Sequence, residues 1–441
     1  MDMKSKVGPM SIQLPLSQRI DSIEAYYTGV EDAGEPISQE ALDATVAFFS
    51  KAGGIQLRSR DKVIKNMRLC TNSGNPYFTK RRLVKHLPQG PYPYVAILGW
   101  RGQEGGIHEE DVKQRVVWMM PFLLNVAELQ FYQPAIAAMQ RTGLIPAYVS
   151  MEAVDAEVTA LFDTKNPEDD VICTDFTKFD QHFNKHLQDA AYYIENKLMS
   201  KGQTLDRELF DIKFNIPLIC TENLMFTGLH GMGSGSGGTN FDECMGHKSM
   251  QFESAIKAKA KLNPHSMAYG DDGILSYPGI KVDDVIRTYT SHGQEMNKTK
   301  QYVSKHDCVV LRRWHGTDYR VNGIMVGVYS TFRALGRLLA QERYYDPEKW
   351  SNKMVVLRTL SILENCKWHP LFHEFIDFVM KGDKYRLGLN IPGFYDDLTK
   401  IARTAIENFT DFLGYTKNLQ NTDSYGGIEQ WEVVKYVKSK E

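Results

Sequence analysis

The chain lacks a C-x-x-C pair. Its six cysteines, Cys70, Cys173, Cys220, Cys244, Cys308 and Cys366, are scattered. That spacing indicates neither a zinc site nor a disulfide framework and fits a reducing intracellular setting. No apolar run reaches the roughly 18 residues of a membrane span, so none is expected. The opening Met1-Asp2-Met3-Lys4-Ser5-Lys6 has no apolar core of a secretory signal, so none is expected there either. Internal repeats and long low-complexity tracts are also missing. A formal net charge of -2 removes any global sign of nucleic-acid binding, although a basic channel needs only local clusters.

What is present is a 441-residue chain of ordinary globular composition, long enough for a large core and two or three subdomains. The first 110 residues read as loop-rich, punctuated at Gly53-Gly54, Gly74-Asn75-Pro76, Gly90-Pro91-Tyr92-Pro93 and Gly105-Gly106. Helices are expected over Val126–Arg141, Leu187–Ser200, Thr239–Lys259 and Val282–His292. Val171–Thr174 reads as a buried strand and Asp307–Trp314 as another. From Ser330 the chain reads as mainly helical: Thr331–Tyr344, Lys353–Cys366, Pro370–Lys381 and Tyr395–Leu413. A mixed α/β centre is thus followed by an α-rich C-terminal unit.

Five features carry chemistry. Gly270-Asp271-Asp272-Gly273 puts two carboxylates on a turn between strand-like flanks, a way to hold hard divalent cations at a hairpin tip; the plain alternative is a surface turn. Asp175 follows the Val171–Thr174 strand and can join Asp271 if the strands pair, with Asp180 further round the turn. Alone, Asp175 would read as a helix N-cap. Gly231–Gly238 is a glycine-dense loop whose N–H groups can cradle phosphate or a sugar edge, and Thr239 opens the helix after it. No Gly-Lys-Ser/Thr follows, which excludes a Walker loop. Basic residues cluster at Lys80-Arg81-Arg82 with Lys85, and at Arg101, Lys113 and Arg115, where Arg offers a planar fork to phosphate. Lys298 and Lys300 follow a helix, and Arg312-Arg313 end an apolar strand suited to a nucleic-acid backbone. Each basic group alone would pass for a solvated face.

In order, Asp175…Asp180, Ser234-Gly235…Thr239, Gly270-Asp271-Asp272, Lys298/Lys300 and Leu311-Arg312-Arg313 resemble motifs A to E of viral RNA-dependent RNA polymerases. Lys113-Gln114-Arg115 resembles motif F, and Thr71–Tyr77 the template-side motif G. The likeness spans roughly residues 70–315 and is greatest to the picobirnavirus and partitivirus group of double-stranded RNA viruses, picobirnavirus above all.

The resemblance implies an α+β right-hand polymerase of fingers, palm and thumb, with an antiparallel palm sheet flanked by helices and a mainly helical thumb. It divides the chain into an N-terminal extension and fingers (1–165), palm (166–200), fingers (201–230), palm (231–320) and thumb (321–441). It implies RNA-directed RNA synthesis from NTPs with release of pyrophosphate. Asp175 and Asp271 would hold two Mg2+ ions, replaceable by Mn2+, with Asp272 in support. Lys298 or Lys300 would protonate pyrophosphate. Asp180 would read the ribose 2′-hydroxyl; Ser234, Gly235 and Thr239 would position template and sugar; Lys113 and Arg115 would grip the triphosphate; Arg312 and Arg313 would hold RNA. Poliovirus-type members place an Asn four residues after the motif B Thr. Here Glu243 stands there and Asn240 follows Thr239 directly, so either could complete ribose selection. The implied partners are single- and double-stranded template RNA, NTPs and a viral capsid protein, with no membrane, a monomeric enzyme, and a location in host cytoplasm and virion interior.

Two rivals remain at this point. A reverse transcriptase also uses a Tyr-x-Asp-Asp turn, but Asp180 and Thr239-Asn240 favour ribose. A non-catalytic RNA-binding protein on the same fold would be marked by loss of an acid, and Asp175, Asp271 and Asp272 are all intact.

Overall fold

The structure is a computed structural model, and it describes residues 12–87, 94–103, 108–342, 345–409 and 427–441. The expected punctuation at Gly90–Pro93 and Gly105-Gly106 lies outside those residues, as does the end of the Tyr395–Leu413 helix.

The N-terminal part holds more helix than its glycines and prolines suggest: α1 (Ile20–Thr28), α2 (Gln39–Phe49), α3 (Arg60–Asn66) and α4 (Arg81–Val84). The first signal missed is capping. Ser38 and Ser59 accept backbone N–H bonds at the starts of α2 and α3, removing orphan donors there. Strands β1 (Ala96–Gln103) and β2 (Lys113–Met119) form an antiparallel hairpin, and the 21-residue α5 (Phe122–Thr142) follows. It ends at Gly143, which is left-handed.

Next come α6 (Met151–Thr164), β3 (Val171–Thr174), α7 (Lys185–Lys197), α8 (Arg207–Asn215), β4 (Leu218–Thr221) and β5 (Leu224–Phe226). Then α9 (Thr239–Lys257), β6 (Met267–Tyr269), β7 (Asp272–Leu275), α10 (Val282–Ser291) and β8 (Tyr302–Ser304) complete the centre. The central sheet runs β6-β7-β3-β8 and is antiparallel throughout. All four β3 residues are buried, because the sheet is covered on both faces. Ile172 and Leu275 share one face with α7 and α9, while Val171, Cys173 and Ile274 share the other with α6. That explains why the strand reads as an unbroken apolar run rather than an alternating one.

The segment expected as one strand over Asp307–Trp314 is instead a hairpin, β9 (Asp307–Val310) and β10 (Arg313–Gly316). Leu311 and Arg312 form its two-residue turn, both with positive φ (51° and 62°). Two left-handed residues match the right-handed twist of the flanking strands, but glycine or Asn is the usual signal, so the apolar Leu311 concealed the turn. Short strands β11 (Arg320–Val321), β12 (Ile324–Met325) and β13 (Val328–Tyr329) lead to α11 (Thr331–Leu339), α12 (Asn352–Glu364), α13 (Phe372–Gly382), α14 (Leu398–Asn408) and α15 (Glu432–Lys438). The C-terminal helices share one apolar core around Leu357, Leu360, Leu363, Ile376, Leu398 and Val434. All six cysteines are unbridged, and no helix among the described residues is long and apolar enough to cross a membrane.

Candidate active site

The sheet register assembles the acids. Thr174 pairs with Gly273, so Asp175 and Asp272 lie one step beyond that pair on adjacent strands. By the two-residue period both continue the face of Cys173 and Ile274. The β6–β7 turn is Gly270-Asp271, with Gly270 left-handed (φ 63°). A side chain at Gly270 would also crowd Asn240 and Glu243, so glycine is required twice over. Asp175 and Asp271 are exposed at one end of the sheet's strands; Asp272 and Asp180 are half-buried.

Asp272 has a second task. Its Oδ2 accepts the Leu311 N–H at 2.8 Å, fastening the left-handed β9–β10 turn to the acidic hairpin. Burial, and then the Asp271 charge, push its carboxyl up to about 7. Asp175 is clasped at its backbone instead. Gln301 accepts its N–H at 2.9 Å and donates to its carbonyl at 2.8 Å, replacing a strand partner where the β3–β8 ladder ends.

One face of α9 lies against the turn. Asn240, Glu243, Cys244 and His247 follow a three- and four-residue spacing. Cys244 Sγ accepts the Gly270 N–H at 3.3 Å, and His247 Nδ1 lies 2.9 Å from the Gly270 carbonyl. A carbonyl only accepts, so Nδ1 carries the proton. Burial holds that imidazole neutral, its pKa drawn down to about 4. Asn240 Oδ1 accepts the Tyr148 hydroxyl at 2.9 Å. Glu243 is buried, and burial followed by the Asp180 and Asp271 charges raises its carboxyl pKa well above the ordinary range. Asp180 is raised as well, by burial first, with the Glu243 hydrogen bond and Arg115 opposing. Arg115 is therefore brought to the acids. The Lys113 side chain lies outside the described residues.

The glycine loop departs from expectation. The N–H of Gly231 bonds Tyr26, that of Met232 the Asp180 carbonyl, and that of Ser236 the Gly233 carbonyl. The Gly237 N–H bonds Glu128 Oε2 at 2.9 Å, and that of Gly238 bonds Ser236 Oγ. These amides are consumed within the protein and do not form an open phosphate cradle. Gly235 is needed because a Cβ there would sit 1.7 Å from the Trp118 carbonyl oxygen. Ser234 Oγ donates to the Val116 carbonyl and Thr239 Oγ1 to that of Gly233. Both hydroxyls brace the loop.

Under the loop is a buried ionic set. Lys213 and Asp242, both fully buried, pair at 2.7 Å. Tyr132 donates to Asp242, and Lys213 donates to Tyr132. Glu128 takes the Ser236 hydroxyl at 2.8 Å. None of these was singled out from sequence; the only signal was charged residues interrupting apolar helices.

One expected site residue falls elsewhere. Arg313 is buried and donates to the Asn365 carbonyl and Oδ1, both at 2.9 Å, so it joins β10 to α12 instead of presenting to RNA; as the first residue of β10 it faces inward, while Arg312, in the left-handed turn before it, stays exposed. Lys298 pairs with Asp283 at 2.7 Å. Lys300 is exposed, beside the Gln301 clasp.

Among the described residues no three His, Cys, Asp or Glu side chains form a ready-made metal cage. The donor set nonetheless suits a hard divalent cation. It is all carboxylate, its members repel one another, and such cations take one or two carboxylates plus substrate phosphates rather than a full protein cage.

The fold and this acidic hairpin define a nucleic-acid polymerase, and the chain belongs to the viral RNA-dependent RNA polymerases, whose family model matches residues 106–362. Its relatives are picobirnaviral. It is 51% identical to a potential RNA-dependent RNA polymerase of human picobirnavirus, covering all of this chain and 87% of that one. Two crystal structures of human picobirnavirus RNA-dependent RNA polymerase, one with an insertion loop deleted, superpose with TM-scores of 0.90 and 0.89. They are 49% and 48% identical, and cover all of this chain and 87% and 86% of those chains. The fold is the right-hand polymerase fold, and the enzyme is an RNA-directed RNA polymerase, acting on an RNA template and NTPs with divalent metal dependence.

Proposed function

We propose that Asp175 and Asp271 are the ligands of two Mg2+ ions, with Asp272 anchoring the hairpin that carries them. The observation behind this is the β3–β7 register, which sets Thr174 opposite Gly273 and the acids at one end of those strands. The ions, when bound, supply Lewis-acid activation and neutralise charge on the reacting phosphates. The chain's residues do the positioning on which phosphoryl transfer depends. The 3′-hydroxyl gives up its proton to water as its oxygen bonds to the NTP α-phosphorus, the bond from that phosphorus to the β-phosphate oxygen breaks, and pyrophosphate departs. Arg115 grips the triphosphate. Lys300 donates the proton to pyrophosphate, a role favoured over Lys298 because Lys298 is paired with Asp283. Asp180 reads the 2′-hydroxyl, with the neutral Glu243 carboxyl donating to it as an amide would. Ser234, Gly235, Thr239 and Asn240 shape the floor beneath the nucleotide, and Arg312 meets RNA at the site edge.

The same reading divides the chain into fingers (1–165 with its N-terminal extension, and 201–230), palm (166–200 and 231–320) and thumb (321–441). It makes the enzyme a monomer in host cytoplasm and virion interior, with the capsid protein as partner. The test is labelled-NTP incorporation on single-stranded RNA with magnesium or manganese. Template-dependent product lost in Asp271→Ala, with RNA binding kept, supports the assignment. Equal product from both proteins overturns it.

A further inference from the structure

A cavity of about 550 Å³ lies away from the acids, between α2, the α6–β3 connection, α9 and the segment after β7. That volume is in the range of small-molecule sites. Its walls include three aromatic rings, Phe48, Phe252 and Tyr277, and four lysines, Lys51, Lys165, Lys248 and Lys261. Four lysines around one hollow stand out in a chain of net charge -2.

The lining has one carboxylate, Asp169, and it is already occupied. Its Oδ1 accepts the Gly279 N–H at 2.9 Å and its Oδ2 the Asn166 amide at 2.7 Å. None of the four lysines lies within ion-pair distance of it, though its charge acts on Lys165 together with those of Asp170 and Glu168. Lys248 is 3% exposed. Its Nζ donates to the Ser266 carbonyl at 2.5 Å and lies 4.4 Å from the Phe48 ring centre and 5.6 Å from that of Phe252. An ammonium has three donors and, buried, demands acceptors or an anion. One carbonyl and two ring faces leave that demand largely unmet, and burial draws its pKa down to about 7. Lys51 Nζ also lies over the Phe48 ring, 5.2 Å from its centre. Lys261 is exposed at the rim and makes no ion pair among the described residues.

We propose that this cavity is a second nucleotide site, taking a nucleoside phosphate with its base against the apolar lining of Leu262, Pro264 and Tyr277 and its phosphates on Lys51, Lys248 and Lys261. The apolar walls suit a flat ring, and Lys51 and Lys261, which no carboxylate pairs among the described residues, call for a multiply charged anion. No acidic residue of the polymerisation site lines the cavity, so a nucleotide bound here is not the one being incorporated. The cavity is coupled to that site by chain continuity. Lys248 follows His247, which holds Gly270, and Tyr277 stands just past the end of the strand that begins at Asp272.

The test is ATP binding by equilibrium dialysis on the full chain with divalent cations chelated by EDTA. Expected are saturable binding of one ATP per chain, equal binding by Asp271→Ala, weaker binding of inorganic triphosphate, and none of adenosine. Lys261→Glu and Lys51→Glu, both at exposed positions, should each bind at least about tenfold more weakly, the scale of one charge-assisted hydrogen bond, with the thermal midpoint unchanged. Lys248→Met should abolish binding. Should that variant fail to fold, the two exposed variants decide. No saturable binding at millimolar ATP overturns the proposal. So does ATP binding that the lysine variants leave untouched, or inorganic triphosphate binding as tightly as ATP.

Discussion

Two helices show how differently this molecule builds its cores. In the centre, α9 is buried along almost its whole length, yet the buried set includes Asp242, Glu243, His247, Lys248, Gln251 and Glu253. In the C-terminal unit, α12 buries Met354, Val356, Leu357, Leu360, Ile362 and Leu363, and from Tyr345 onward Glu364 is the only charged residue among the described residues to be buried. The difference follows from what each must hold. A helix that fixes a strained turn and an ionic network needs buried donors and acceptors aimed at named atoms. One that only packs against its neighbours needs apolar volume. Buried polar groups are costly unless satisfied, so their density marks where geometry is being specified.

The largest effect expected from breaking that geometry is chemical. Asp271→Ala or Asp175→Ala should lower turnover at least about a thousandfold, as loss of several kcal/mol of charge stabilisation implies. The metal-free variants should melt no lower than wild type, since each deletion relieves repulsion among crowded carboxylates. Single-turnover incorporation beside a thermal melt checks both. A variant that is inactive because it is unfolded would break the assignment.

Next is the network under the glycine loop. Lys213→Met leaves Asp242, Glu128 and the equally buried Glu195, all three of whose charges act on that ammonium, around a lost charge. Removing one partner of a buried pair costs about 3–5 kcal/mol. The surviving folded protein should also lose activity, because Glu128 holds Ser236 and Gly237. The paired test in the other region is Leu360→Ala, which should cost about 2–5 kcal/mol through its cavity and leave turnover per folded molecule unchanged. Urea unfolding with active-site titration separates the two. If both lowered turnover equally, the contrast between a specified core and a packing core would fail.

The contrast also explains what could be read in advance. The acids were legible because Asp175, Asp271 and Asp272 each sit where an apolar strand meets a turn. The C-terminal helices were legible as helices, because their apolar faces repeat regularly, but carried no chemistry to read. What stayed hidden depends on distant chain segments meeting. Gln301 clasps Asp175 across 126 residues, and nothing local marks it. The Leu311-Arg312 turn was concealed because Asp272, not glycine, stabilises it. Arg313 reads like its neighbour Arg312 because they share a charge, but Arg312 belongs to the left-handed turn and stays exposed while Arg313 opens β10 and faces inward. The glycine loop looked like a phosphate cradle, yet its close contact with β2 is what requires Gly235, a packing fact that no spacing encodes.

The smallest effect tests the packing core through its one buried charge. Glu364 accepts the N–H groups of Glu432 and Val433, at 3.2 and 3.0 Å, and so caps the start of α15 from inside the core. Burial outweighs those bonds and pushes its carboxyl up from 4.5 to about 7. The folded state therefore favours the neutral acid. The stability this group adds is fully present below its unfolded value of 4.5 and is lost as pH rises through about 7. A shift of that size is on the order of 3 kcal/mol. Glu364→Gln mimics the neutral form at every pH and should remove the dependence. Stability measured by urea unfolding at about pH 5 and about pH 8 should favour wild type and variant nearly equally at the lower pH. At the higher pH it should favour the variant by up to that amount. A difference that does not change with pH would mean that the helix N-terminus stabilises the carboxylate as strongly as burial opposes it. The C-terminal core would then be specified by its one charge, as the central core is by its many.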